Sequence, residues 1–272
     1  MHSLASWQVV RGAAERVVGG AAAASSVGEP LAGRCDSHRH ATFKRLLRPE
    51  NSTVRIVSIT DLHGRPEALR AILADVNKPD IVLLGGDITN FGSPSEAERL
   101  VGLARQMAPT VLAVAGNCDS PAIDQRLFDL EVGLHGRGEC FETVGIHGVS
   151  AIPPWKRGMY QLTEEELGAA IEQGHAMIRE ATHRILLAHV PPKGTKVDRT
   201  FFWIHAGSAA VRSFIDREEP SVVFCGHIHE GRGLERLGKT TVCNCGLGAR
   251  GEYAVAEVLD NAIDVSLRAV RV

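Results

Sequence analysis

Five polar islands along the chain carry side chains able to do chemistry: Asp61-Leu62-His63, Gly86-Asp87, Gly116-Asn117-Cys118-Asp119, His189, and Gly226-His227-Ile228-His229. Asp61, Asp87, Asn117, His63, His189, His227 and His229 supply carboxylate, carboxamide and imidazole donors. Seven such donors exceed the four positions of an ordinary tetrahedral ion. They match two divalent ions that share one carboxylate, and oxygen with imidazole suits Mn, Fe, Ni, Co or Zn. Between two ions about 3.5 to 4 Å apart, a bridging water loses a proton readily and becomes a nucleophile, while the ions neutralise phosphoryl oxygens. A lone Asp or His in a loop is ordinarily solvated or caps a helix. That account fits each island singly and fails for five together, because each one directly follows an apolar run.

The apolar runs are the elements that must position these groups. Residues 54–60, 80–84, 110–115, 184–188 and 221–225 are predicted strands. Helices are expected at 66–76, 94–107, 164–181 and 208–217, with Pro66 in the first turn of its helix and Ser208 as an N-cap. Strands separated by helices of this length imply right-handed βαβ units and buried parallel pairing. Residues 139–150 suggest a strand pair broken at Gly145, and 233–237, 240–244, 252–258 and 263–267 make the end of the chain mostly β. The expected fold is α/β, a four-layer α/β/β/α sandwich of two mixed sheets flanked by helices. In open α/β sheets ligand sites gather outside the carboxyl ends of the strands, where all five islands fall.

In this order, D-x-H, G-D, G-N-x-D, H and G-H-x-H, the motifs resemble those of the calcineurin-like metallophosphoesterases over roughly residues 54–270. The resemblance implies that Asp61, His63 and His229 hold one metal, that Asn117, His189 and His227 hold the other, and that Asp87 bridges them. It also implies hydrolysis of a phosphate ester by a metal-bridging hydroxide. The family usually has His after the Asn, paired with the next acid and assisting the leaving group; this chain has Cys118 beside Asp119. The Gly-Asn-Cys-Asp form resembles small prokaryotic phosphodiesterases. Three roles stand open for Cys118: filler of a small space, substrate contact, or redox sensor. A thiol is a weak donor, so phosphodiesters are the expected substrates. The alternatives are a phosphomonoesterase or protein phosphatase, which would ask for the missing His, and a scaffold with a decayed site like the retromer subunit of this fold, which would ask for missing ligands.

Lys193, Arg199 and His205 lie in the loop after His189 and are candidate substrate contacts; with 151–162 this loop would set selectivity. His135, His147, His175 and His183 follow no ligand pattern and are expected to be structural or solvated. The 272 residues carry 44% hydrophobic and 23% charged residues and a formal net charge of -2, an ordinary globular composition without the basic field of a general nucleic-acid binder. A small phosphodiester or nucleotide remains a fitting partner. No run approaches the roughly 18 to 20 apolar residues that span a bilayer, and no membrane partner is expected. Six scattered cysteines match neither a disulfide scaffold nor a zinc module, so reduced thiols in the cytoplasm are expected. Cys243 and Cys245 are expected to be core thiols rather than a soft-metal pair. Residues 1–52, rich in Ala, Gly, Ser and Arg, read as a disordered or dispensable extension, with the phosphoesterase domain at 53–272. His38 and His40 in that stretch are expected at the surface.

Overall fold

The computed structural model describes residues 43–44, 53–259 and 262–272, residues 43–44 by their backbone alone. Most of the stretch read as an extension, with Cys35, His38 and His40, therefore lies outside the described residues. Within that stretch Phe43–Lys44 (β1) pair in parallel with Cys140 and Phe141.

Two sheets form the interior. The first runs β12-β11-β2-β3-β4, built from Val54–Ile59 (β2), Ile81–Gly85 (β3), Thr110–Val114 (β4), Glu252–Leu259 (β11) and Ala262–Ala269 (β12). β2, β3 and β4 are parallel, and β11 and β12 add antiparallel strands at one edge. The second sheet is ordered β1-β5-β6-β7-β8-β10-β9. It adds Gly138–Phe141 (β5), Val144–Val149 (β6), His183–Ala188 (β7), Val222–Cys225 (β8), Gly233–Leu237 (β9) and Thr240–Asn244 (β10).

Side-chain alternation divides the central strands between two cores. In β2, Val57 and Ile59 meet the helices Pro66–Val76 (α1), Pro94–Arg105 (α2) and Pro121–Asp129 (α3), whereas Val54 and Ile56 face the other sheet. In β7, Ile185 and Leu187 join that inter-sheet core, whereas Leu186 and Ala188 pack under Glu164–Ile178 (α4) and Ala209–Glu218 (α5). A period of two with both faces apolar is what a strand buried on both sides requires. The layers are helix, sheet, sheet, helix, as expected. Ser93, Ser120, Thr163 and Ser208 accept backbone N–H bonds at the starts of α2, α3, α4 and α5, and Thr163 with Glu166 completes a capping box.

Two local expectations fail. The break expected at Gly145 falls at Glu142, which turns with φ of 51°. Gly145 stays inside β6, where a Cβ would collide with Ile178 at the end of α4 and Ala181 just beyond it. α3 was not expected; its signal was Ser120-Pro121, an N-cap followed by proline at the first helical position.

Candidate functional site

Asp61, His63, Asp87 and His227 all adopt left-handed backbone, with φ of 57°, 45°, 47° and 63°. Non-glycine residues pay roughly 1–3 kcal/mol for such conformations and hold them where surrounding structure insists. Here hydrogen bonds between the strand-end loops insist. Asp61 N donates to Gly86 O at 3.0 Å, His63 N to Asp87 O at 2.8 Å, and Gly226 N to His189 O at 3.0 Å. His227 N donates to Asp61 Oδ2 at 3.1 Å and Cys118 N to Asp87 Oδ1 at 2.7 Å. Gly116 must be glycine, since a Cβ there would overlap the amide and carboxylate of Asp87.

The candidate ligands converge. Potential ligand atoms of Asp61, His63 and His229 lie within 4.8 Å of one another, and so do those of Asp61, Asp87 and His189. Asn117 Oδ1 is 2.9 Å from His189 Nε2, and the His189 and His227 rings are 5.3 Å apart. Asp87 reaches both sides, with Oδ2 3.9 Å from His63 Nε2 and Oδ1 3.5 Å from His189 Nε2. Asp61 is shared more widely than expected, and Cys118, expected outside the metal set, has its sulfur within 4.8 Å of ligand atoms of His63 and Asp87.

The donor chemistry fits cations. His189 Nδ1 sits 3.0 Å from the Gly85 carbonyl, which can only accept, so Nδ1 carries the proton. In its neutral form the ring presents a lone pair at Nε2 toward the carbonyl oxygen of Asn117, whose amide nitrogen is engaged with Cys118 Sγ at 3.3 Å. Lone pair faces lone pair, an arrangement resolved by a proton or by a metal ion. His63 Nε2 likewise stands 4.0 Å from Asp61 and 3.9 Å from Asp87, beyond hydrogen-bond range. Its Nδ1 is buried with no partner among the described residues.

The electrostatics follow from these neighbours. Burial works against the charged form of Asp61, but the His229 hydrogen bond and the charges of His189 and His229 outweigh it and hold the carboxyl below its ordinary value. Burial also opposes charge on His189, yet Asp87 and Asp61 raise it. His229 is raised first by its 3.1 Å bond to Asp61. His227 is pressed down to about 3 by burial and by His189, which keeps it a neutral nitrogen donor. Burial, then Asp87, drives the Cys118 thiol far above its ordinary value.

Asp119 does not face the ligand cluster as a free acid. Its carboxylate accepts from Ile88 N, Thr89 N, Thr89 Oγ1 and Gly116 N at 3.1, 2.9, 2.8 and 2.9 Å, which ties the Asp87 loop to the Asn117 loop. Burial and the charge of Asp87 push it up to about 6 against those bonds. Sequence reasoning misses Thr89, and it misses Asn244 as well. The Asn244 amide nitrogen donates to the carbonyls of Val197, Gly226 and Ile228 at 3.0, 3.3 and 2.8 Å, holding the segment that carries His227 and His229. Its flanking Cys243 and Cys245 are buried in the inter-sheet core, and all five cysteines among the described residues are free. In sequence Asn244 is a spacer between two thiols, and no local pattern marks it.

Of the substrate candidates, Lys193 and His205 line one pocket of about 170 Å³ with His227, Trp155 and Glu164. His205 is held there by Asp198, 2.6 Å from its Nδ1. Arg199 does not line it; its guanidinium lies 5.3 Å over the Trp203 ring.

Residues 54–231 match the family model described as calcineurin-like phosphoesterase. The chain is 33% identical to an uncharacterized protein of Methanocaldococcus jannaschii over 70% of its own length and 87% of that protein's. It is 26% identical to a probable cyclic nucleotide phosphodiesterase of Synechococcus, over 71% of its length and 80% of the relative's. The crystal structure of TT1561 of Thermus thermophilus superposes with a TM-score of 0.62 at 16% identity, covering 79% of this chain and 99% of that one.

Proposed function

The chain belongs to the calcineurin-like phosphoesterases, and from that premise we propose that it is a dinuclear-metal-dependent phosphodiesterase of small phosphate esters, nucleotides among them. One observation carries the reading. The Asp87 carboxylate stands between two groups of donors, one oxygen toward His63 and the other toward His189. Asp61, His63 and His229 would hold one divalent ion, Asn117, His189 and His227 the other, and Asp87 both. Two ions so held would acidify a water and draw charge from the phosphoryl oxygens.

The remaining work belongs to the chain. Gly85 O fixes the His189 tautomer so that Nε2 faces the site. Asp119 and Asn244 lock the loops that carry Asp87, Asn117, His227 and His229, so these donors need no reorganisation when substrate arrives. Lys193 and His205, beside His227, would steady the part of the substrate beyond the reacting phosphate.

Cys118 supports the diester reading, since a thiol is a weak donor and cannot replace an imidazolium as proton donor to a poor leaving group. The relative named a probable cyclic nucleotide phosphodiesterase supports it as well. We take Mn²⁺ as the resident ion, since Asp61, Asp87 and Asn117 supply oxygen donors of the kind it favours beside the four imidazoles. Five free cysteines support a reducing, cytoplasmic setting. The domain would comprise residues 53–272 with β1 at its sheet edge. Removing residues 1–41 should leave turnover unchanged. The full chain with Mn²⁺ should hydrolyse bis-p-nitrophenyl phosphate faster than p-nitrophenyl phosphate, and a panel of cyclic nucleotides, dinucleotides and monoesters would then name the substrate. A clear preference for monoesters would overturn the diesterase reading.

A further inference from the structure

Phe201, Phe202, Trp203 and Ile204 follow one another at the apex of the loop between β7 and α5, and they are 79, 78, 75 and 56% exposed. Four consecutive large apolar side chains in water are unfavourable, and this loop is built to hold them there. Arg199 and His205 form an antiparallel bridge at its stem. Thr200 N donates to Ile204 O at 3.0 Å and Trp203 N to Thr200 O at 2.9 Å, with Trp203 in left-handed backbone at φ of 62°. Below the stem the buried Asp198 carboxylate accepts from Gly194 N, Thr195 N, Gly207 N and His205 Nδ1. Phe201 N donates to Glu230, the residue after His229. The result is a braced, convex, aromatic knob at the rim of the candidate metal site.

A convex knob does not enclose a small ligand; it needs surroundings that enclose it. We propose that this tip is a peripheral membrane anchor that seats Phe201, Phe202, Trp203 and Ile204 in the interfacial layer of an anionic lipid surface. Aromatic side chains, Trp above all, favour that layer, where a ring can be buried while its polar edge stays hydrated. The charges beside the tip are complementary to such a surface. Lys196 is exposed, Arg199 packs on Trp203, and neither has an ion pair among the described residues. Of the neighbouring acids, Asp198 is buried against the stem amides, while the exposed Glu230 and the half-buried Glu235 accept from Phe201 N and Lys196 N. Among the described residues no helix is long and apolar enough to cross a membrane, and none is needed for attachment of this kind. The sequence alone, lacking a spanning run, suggests no membrane partner. Because Glu230 joins the tip to the segment carrying His229, a seated tip brings the site to the lipid surface. The inference stands apart from the class of ester hydrolysed.

Co-sedimentation of the full chain with vesicles tests it. Binding to equimolar phosphatidylcholine and phosphatidylglycerol should exceed binding to phosphatidylcholine alone by roughly tenfold or more, on the strength of the two cationic contacts of Lys196 and Arg199. Phe202→Ser/Trp203→Ser should abolish that binding and leave hydrolysis of soluble bis-p-nitrophenyl phosphate unchanged, with an unaltered circular dichroism spectrum. Three results would each overturn the proposal: no wild-type binding to either vesicle; self-association that the double variant abolishes, marking a second copy as the occupant; or a raised KM for the soluble diester in that variant, marking the tip as part of the substrate site.

Discussion

Two groups of histidines in this molecule have nearly the same ring spacing and different surroundings. At the strand ends, His63 and His229 lie 5.7 Å apart and His189 and His227 5.3 Å apart. In the interior, His147 of β6 and His175 of α4 lie 5.6 Å apart, each about 5 Å from the Phe214 ring of α5. Two of the strand-end rings, His189 and His229, are raised by Asp61 and Asp87. In the interior, burial comes first for both rings. It presses His147 down to about 3, helped by His175 and Arg184 against a pull from the Ile171 backbone. His175 is lowered too, although Glu218 pulls the other way. Proximity of imidazoles therefore does not distinguish a candidate metal centre from a core. Carboxylates on strained backbone do.

The sharpest break would come at Asp87. Asp87→Ala removes the carboxylate common to both donor groups and should cost roughly 10²- to 10³-fold in turnover or more, with the circular dichroism spectrum retained; wild-type turnover would end the two-metal reading. His147→Phe, its counterpart in the interior, should leave turnover within about twofold. Metal linkage separates the regions without any assay of activity. Adding Mn²⁺ to chelator-treated protein at about a hundred times its Kd should stabilise the fold by roughly 2.7 kcal/mol. Calorimetry would see this as a raised Tm that Asp87→Ala largely abolishes, and an equal rise in both proteins would place the ion elsewhere.

A smaller effect is expected one layer out. Asp119→Asn keeps the shape of the brace but weakens its acceptance from four donors, and should lower metal affinity or turnover by roughly 10- to 100-fold. The interior pair predicts acid sensitivity. His147 falls from an ordinary 6.5 to about 3 on folding, so the unfolded chain binds more protons across that window. The stability due to neutral His147 is complete above about pH 6.5 and is lost as pH falls toward about 3, a change on the order of a few kcal/mol. Urea titrations should show His147→Phe flattening that slope, and an unchanged slope would acquit the residue. Smallest of all, Cys118→His should raise monoester hydrolysis relative to diester by roughly tenfold; no rise would mean that the cysteine does not limit leaving groups.

Much of this was legible in the order of residues. The seven candidate ligands, the glycines before them and the strands they follow lie within a few positions of one another, so their pattern survives in one dimension. The two-sided apolar runs likewise announced buried strands and two mixed sheets. What escaped was whatever acts across sequence distance. Asn244 supports the His227 loop from another strand, and Thr89 matters through Asp119, 30 residues away. Asp119 itself reads from its motif as the partner of the residue after Asn117, and only the fold shows that its carboxylate also gathers four donors from two loops.

Sequence by itself determined the donor set, the apolar periodicity and the caps, because each depends on residue type and short spacing. Tertiary structure alone decided which donors share space, that Asp61 is as widely shared as Asp87, and that Cys118 sits against the ligand cluster. It also decided that His147 and His175 lose affinity for protons while His189 and His229 gain it. The physical reason is the same throughout. Strain, desolvation and charge are properties of surroundings, and the surroundings of these residues are assembled from strands and loops far apart along the chain.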